Sequence, residues 1–93
     1  MKYEIELKRI KNFVEKYAGY DISTKLRDAE TVKYRTLYFK IASDTTKYTL
    51  SQIGKIVNRD HATVLHARKN LFNEFMDIKN FAYIYNQYKI NIA

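Results

Sequence analysis

The sequence predicts an all-α, single-domain protein that contains a helix-turn-helix, and three observations support this fold class. The chain has 93 residues, a length that suits one small domain. It contains no proline and two glycines, so few residues would interrupt a helix. Apolar residues recur at helical spacing, and about residues 49–76 show a short helix, a tight turn and a longer helix.

The first predicted helix covers about residues 3–18. Ile10 and Val14 lie on one apolar face of it, and Gly19 provides a stop. Residues 20–29 are predicted to form a turn with room for one short helix. These assignments place the first long helix and a connecting loop in the first third of the chain.

A second long helix is predicted over about residues 30–46. Its apolar positions are Val32, Leu37, Phe39 and Ile41. Thr45 and Thr46 are weak helix formers, so the pattern defines the end of this helix poorly.

The short helix of the helix-turn-helix is predicted to begin at Thr49. Its hydroxyl, with Gln52 three residues later, fits a capping box. Asn58 tolerates the left-handed conformation that ends helices, and Asp60 suits the N-cap of the following helix. That longer helix is predicted to reach about Met76, and its apolar positions are Val64, Ala67, Leu71 and Phe75.

A last helix is predicted over about residues 78–90. Its apolar and aromatic positions are Ile78, Phe81, Ala82, Tyr85 and Tyr88. We interpret the nine tyrosines of the chain as residues at the edge of the core, because platforms for stacked bases suit single strands.

Composition excludes several classes of protein. No apolar run is long enough to span a membrane, and the acidic N-terminal residues do not fit a signal peptide. The chain has no cysteine, no glycine-rich phosphate loop and two histidines, so we expect no metal site, no bound nucleotide and no cofactor. The absence of cysteine is compatible with a cytoplasmic protein. The net charge of +7 favours an anionic partner such as nucleic acid, or simply high solubility.

The start of the longer helix carries the strongest functional signal, the run Arg59-Asp60-His61-Ala62-Thr63. In a helix-turn-helix the first turns of the second helix face base edges in the major groove. From Lys47 to Asn73 there are five Lys or Arg residues and one Asp, a net charge of +4. A surface with this charge is what phosphate neutralisation requires.

This stretch, from Ile53 to Ala67, closely resembles the signature of the C-terminal DNA-binding domain of the bacterial replication initiator DnaA. The core Arg-Asp-His-x-Thr-Val-x-x-Ala is unusually specific, and the order of helices before it also fits. The resemblance implies a Trp-repressor-like helical domain. It implies that base edges are read by Asp60, His61 and Ala62, with Leu65 close to the DNA.

The resemblance also implies contacts outside the longer helix. A basic loop between the first two helices would reach the minor groove, where Arg27 would contact bases. The residues that would contact phosphate are Lys25, Arg35, Leu50, Ser51, Thr63 and His66, and by its charge Lys69 joins them.

Three features of the sequence depart from the family pattern. Ala62 stands where members usually have Ser or Thr, although its methyl would suit contact with a thymine methyl. Val57-Asn58 gives a turn one residue shorter than the usual Gly-Gly turn. The basic loop is diluted by Leu26, Asp28, Ala29 and Glu30. The ATPase module of DnaA is not in this chain, so initiator activity does not follow.

We therefore expect a monomeric domain that binds double-stranded DNA sequence-specifically, at sites like the DnaA box, and regulates replication or transcription. The alternative is a helical protein-interaction module, or a homodimer, that uses Phe81, Tyr85 and Tyr88 as its contact surface. We expect no enzyme, because the sequence shows no nucleophile with its base and no metal constellation.

Several residues have a plain structural interpretation beside the functional one. His61 and His66 fit ordinary surface histidines, and Asp60 fits a helix cap with or without a base contact. Lys25 and Arg27 fit loop charges. Arg59 suits a pair with either a carboxylate or a phosphate, and the sequence does not separate the two.

Overall fold

The computed structural model describes residues 2–76 and 79–92, and every regular element in that part of the chain is a helix. The elements are α1 (Lys2–Ala18), α2 (Ala29–Thr45), α3 (Leu50–Lys55), α4 (His61–His66), a π-helical turn (Ala67–Leu71), α5 (Phe72–Met76) and α6 (Lys79–Ile92). The prediction of an all-α fold with a helix-turn-helix is confirmed. The predicted start of the last helix, at Ile78, lies outside the described residues.

α1 ends at Gly19 as predicted, because this residue adopts a left-handed φ of 84° that residues with a side chain rarely adopt. Its N–H donates to the carbonyl of Glu15 at 2.8 Å and closes the last turn. Residues 20–28 form turns and bends, without the short helix for which the sequence left room.

Asp28 begins α2 as its N-cap. Its carboxylate accepts from the backbone N–H of Thr31 at 3.2 Å and from the Thr31 hydroxyl at 2.7 Å. These hydrogen bonds, with the hydroxyl first, hold the pKa of Asp28 below its ordinary value. Asp28, one of the residues that dilute the basic loop, is therefore the N-cap of the next helix.

α2 is the central helix of the domain. Its middle is buried on nearly every side, including Leu37, Tyr38, Phe39 and Ile41. The Tyr38 hydroxyl donates to the carbonyl of Ile53 at 2.8 Å, which ties α2 to α3, and burial raises the pKa of this phenol. The apolar face of α1 packs on the same core through Leu7, Ile10 and Val14.

α6 corrects one sequence-based interpretation. Phe81 is fully buried, and Tyr85 and Tyr88 are each 9% exposed, so all three belong to the core. The contact surface imagined for a protein-interaction module is therefore used by the domain itself. Within the part of the chain that the structure describes, no helix is both long and apolar enough to cross a bilayer.

Candidate nucleic-acid interface

The turn between α3 and α4 is a Schellman motif centred on Asn58. This residue has a φ of 59°, and its N–H donates to the carbonyl of Lys55 at 3.1 Å. The N–H of Arg59 donates to the carbonyl of Gly54 at 2.9 Å. The predicted left-handed Asn58 is confirmed, and the motif turns the chain sharply from α3 into α4.

Gly54 lets α3 and α4 approach closely. A Cβ at this position would lie 2.6 Å from the carbonyl oxygen of Arg59 and 3.1 Å from that of Asp60. It would also lie 3.0 Å from the side chain of Val64. A glycine is therefore required where the start of α4 crosses α3.

The start of α4 presents residues 60–63 to solvent. Asp60 is its N-cap and accepts from the Thr63 N–H at 3.0 Å and from the Thr63 hydroxyl at 3.1 Å. These bonds, the backbone one first, hold the pKa of Asp60 below its ordinary value. His61 and Ala62 are exposed beside it. Three of the predicted base-reading residues thus stand together, and a cap role for Asp60 leaves its other carboxylate oxygen available.

α4, the π-helical turn and α5 follow one another without a break, and we call them the composite helix. Val64 and Ala67 are buried, Leu65 is half-buried, and Lys69 is exposed on the π-helical turn. In this turn the N–H of Phe72 reaches back five residues to the carbonyl of Ala67. The inward and outward faces are those predicted, whereas the π-helical turn was not predicted.

A basic groove of about 580 Å³ lies between the composite helix, α2 and the loop before α2. Its polar lining combines Thr63 and His66 of α4 with Arg27, Arg35 and Arg59. Its apolar floor consists of Val32, Phe39, Ala67 and Leu71. No described residue that lines the groove is acidic, so the groove suits a phosphate chain. Four predicted site residues, Arg27, Arg35, Thr63 and His66, meet here.

His66 contacts a neighbour within its own helix. Its Nδ1 lies 3.1 Å from the side-chain amide nitrogen of Asn70, and its ring is exposed. An amide that donates to Nδ1 leaves Nε2 protonated, which gives the histidine an N–H to offer to a phosphate. The predicted phosphate contact of His66 is compatible with this arrangement.

Arg35 is the least accessible of the predicted phosphate ligands. It is 5% exposed, and its guanidinium donates to the carbonyls of Ile22 at 3.0 Å, Thr24 at 3.1 Å and Leu26 at 3.1 Å. Burial, and secondarily the charge of Arg59, lowers the pKa of Arg35. Its side chain therefore stabilises the loop before α2, and a phosphate contact stays a prediction.

Among the described residues Arg59 pairs with no carboxylate, and its contact with a phosphate stays a prediction. Its guanidinium donates to the carbonyls of Val57 at 3.2 Å, Asn58 at 3.1 Å and Thr24 at 2.8 Å. The contact with Thr24 joins residues 35 positions apart, so no local pattern indicates it. This role of Arg59 could not be predicted from the sequence, although the run that begins with Arg59 carries the strongest functional signal.

The remaining predicted ligands lie on two other segments. Lys25 and Arg27 are exposed in the loop before α2. Ser51 is exposed and Leu50 is half-buried in the first turn of α3. The predicted capping box is confirmed there, because Thr49 accepts from the Gln52 N–H at 3.1 Å while Gln52 accepts from the Thr49 N–H at 2.9 Å. Among the described residues no group of three or more His, Asp or Glu side chains could hold a metal ion.

Comparisons with known proteins give one consistent result. The family model for the bacterial DnaA helix-turn-helix matches residues 7–71. The chromosomal replication initiator DnaA of Bacteroides thetaiotaomicron is 41% identical over 61 residues, which are 64% of this chain and 13% of that protein. The DnaA of Flavobacterium psychrophilum is 36% identical over 85 residues, 87% of this chain and 18% of that protein.

The chain thus corresponds to less than a fifth of the length of these relatives. A further DnaA, from Bacteroides fragilis, is 45% identical over 51 residues, 54% of this chain and 11% of that protein. No solved structure matches the chain significantly. The family match covers α3, α4 and the π-helical turn, and it stops before α5 and α6.

Proposed function

Because the chain belongs to the bacterial DnaA helix-turn-helix family and has its DNA-binding fold, we propose that it recognises DnaA-box-like sites in double-stranded DNA. Through such sites it would regulate replication or transcription. The observation that carries the proposal is the exposed turn Asp60-His61-Ala62 at the edge of a groove lined by three arginines. Residues suited to contact bases thus lie next to residues suited to contact phosphate, as a helix-turn-helix requires.

In this proposal the major groove receives the first turn of α4. Asp60, His61 and Ala62 contact base edges, and half-buried Leu65 lies against the DNA. Ala62 offers a methyl where a hydroxyl is usual in the family, so we expect a preference for a thymine at that position of the site. Arg27, from the loop before α2, contacts bases in the minor groove.

The phosphate chains would be held on both sides of the α4 contact. Lys25 and Arg35 neutralise phosphate near the loop, and Thr63, His66 and Lys69 do so along the composite helix. The start of α3, with Leu50 and Ser51, meets the second strand. The basic groove supports this assignment, because three of these side chains, Arg35, Thr63 and His66, line it.

Fluorescence anisotropy with a DnaA-box duplex and a scrambled duplex, over a series of salt concentrations, tests the proposal. We expect tighter binding to the box duplex at every salt concentration, and affinities for both duplexes that fall as salt rises. Equal affinity for the two duplexes throughout would exclude specific recognition. Light scattering on the free and bound protein checks the expected monomer.

The protein-interaction alternative loses its main support in this fold. The aromatic side chains of α6 on which it relied lie in the core.

A further inference from the structure

The loop before α2 is held by its backbone carbonyls. Those of Ile22, Thr24 and Leu26, at alternate positions, all accept hydrogen bonds from buried Arg35. The loop contains none of the ladder bonds of regular secondary structure. These contacts therefore help to fix its position, together with the buried Ile22 side chain and the bond from the Ile22 N–H to Glu15. Arg35 lies in the middle of the central helix α2, so the loop is bonded to a rigid part of the domain.

A second set of contacts reaches the same loop from the helix-turn-helix. Arg59 donates to the carbonyl of Thr24 at 2.8 Å, and the Asn58 side-chain amide donates to that of Ser23 at 3.4 Å. Both residues belong to the Schellman turn, and Asp60 follows Arg59 directly. The loop is thus bonded to the backbone segment that begins α4.

Arg35 and Arg59 meet at a single atom, since both guanidinium groups donate to the carbonyl oxygen of Thr24. Each arginine also supplies hydrogen bonds that the shorter, single-headed side chain of lysine would not reproduce. Arg27 also lines the groove beside them, so three positive charges accumulate where a phosphate chain would relieve their repulsion.

We propose that Arg59, with Arg35, is a positioning residue that fixes the loop carrying Arg27 relative to the first turn of α4. The minor-groove contact and the major-groove contact then form as one unit. We call the hydrogen bonds of Arg59 and Arg35 to the loop carbonyls the clamp. Without the clamp, the loop would have to be ordered separately for the minor-groove contact, at an entropy cost to binding. This inference rests on the proposed function for its consequence in DNA binding, whereas the clamp itself is a property of the free protein.

Hydrogen–deuterium exchange on the DNA-free protein tests the clamp. Arg59→Lys keeps the charge and loses the forked contacts, so we expect faster exchange of the two hydrogen-bonded loop amides, those of Ile22 and Ser23. The amides of α1 and α6 should keep their protection. Arg68→Lys is the matched control, because Arg68 is exposed and makes no hydrogen bond within the part of the chain described. Unchanged exchange of the loop in Arg59→Lys would overturn the proposal.

A double-mutant cycle tests the consequence for binding to the DnaA-box duplex. We expect Arg27→Ala to weaken binding ~10-fold in the parent protein and by less than ~3-fold when Arg59 is already Lys, since coupled residues are not additive. Lys69→Ala serves as the control partner, and its effect should be the same in both backgrounds. A cycle in which Arg27 and Arg59 are additive would refute the coupling.

Asn58→Gly provides a second variant that is independent of the arginine. It permits the same left-handed backbone but lacks the amide that reaches Ser23, so we expect faster loop exchange with the fold intact. If the parent protein fails to distinguish the box duplex from the scrambled one, the proposed function fails, and the exchange experiment still decides on the clamp.

Discussion

Two exposed residues of the composite helix have different tasks in the proposed interface, and they can be separated. His61 is exposed in the first turn of α4, and Lys69 is exposed two turns later. In the proposal His61 would contact base edges, whereas Lys69 would contact the phosphate chain. A base contact discriminates between sequences, and a phosphate contact does not.

We predict that His61→Ala loses about 1–3 kcal/mol of binding free energy on the preferred site and little on scrambled DNA. Lys69→Ala should weaken both duplexes alike and reduce the salt dependence. Anisotropy titrations with the two variants measure this directly. The same pattern from both variants would show that the assignment of roles is incorrect.

Residue roles that depend on near neighbours were predictable from the sequence, and roles that depend on distant ones were not. Asp60, Gly19 and the backbone N–H of Asn58 act on atoms three or four positions away, so residue type and place sufficed. Arg35 binds carbonyls 9 to 13 positions away, and Arg59 binds that of Thr24, 35 positions away. Such partners are determined only when the loop packs against the helices.

At the scale of elements, the pairing of α3 with α4 depends on one missing side chain. Gly54→Ala would place a methyl 2.6 Å from a backbone oxygen, and no rotamer relieves that contact. We predict a loss of about 1–3 kcal/mol in the free energy of unfolding, together with weaker DNA binding. Denaturant titration measures the first and anisotropy the second. Parent-like values of both would mean that α4 can move off α3 without cost.

The capping box at the start of α3 allows a milder test of the same element. Thr49→Ala removes the acceptor for the Gln52 N–H, so we predict a loss of about 1 kcal/mol in stability. Thr49→Ser retains the hydroxyl and should restore most of it. Urea denaturation measures the stability of both variants. Equal stabilities of the Ser and Ala variants would contradict the assigned contribution of the cap.

Element types and most boundaries followed from apolar spacing and caps, but the π-helical turn did not. Val64, Ala67 and Leu71 stand at three- and four-residue steps that suit an ordinary α-helix. The backbone widens there because Phe72 bonds to Ala67 rather than to residue 68. That choice depends on how Phe72 enters the core.

For the whole molecule, Asp44 joins the central helix to the last one. Its carboxylate accepts from Lys40 at 2.9 Å and from the Tyr85 hydroxyl of α6 at 2.6 Å. Burial alone would raise the pKa of Asp44, but these hydrogen bonds outweigh it, and the pKa lies below the ordinary 3.8. On the other side, burial and then the bond to Asp44 raise the pKa of Tyr85 to about 12.

We predict that Asp44→Asn lowers the free energy of unfolding at neutral pH by about 1 kcal/mol or less, since solvent screens the pair. The contribution of Asp44 is fully present above its unfolded pKa and is lost as the pH falls through its lower folded pKa. The difference between variant and parent should therefore vanish in acid. Glu74→Gln, at an exposed site on α5, is the control. A difference that persists in acid would contradict the assigned charge effect.

The π-helical turn gives this domain a place where its length can change. A turn of this kind holds one residue more than an α-helical turn, so a chain shortened by one residue between 67 and 71 can close as plain α-helix. Phe72 and Phe75 would keep their positions in the core, because the lost residue would come from the exposed side of the turn. We therefore expect this domain to tolerate the loss of one residue among the exposed positions 68–70 without a change in its core.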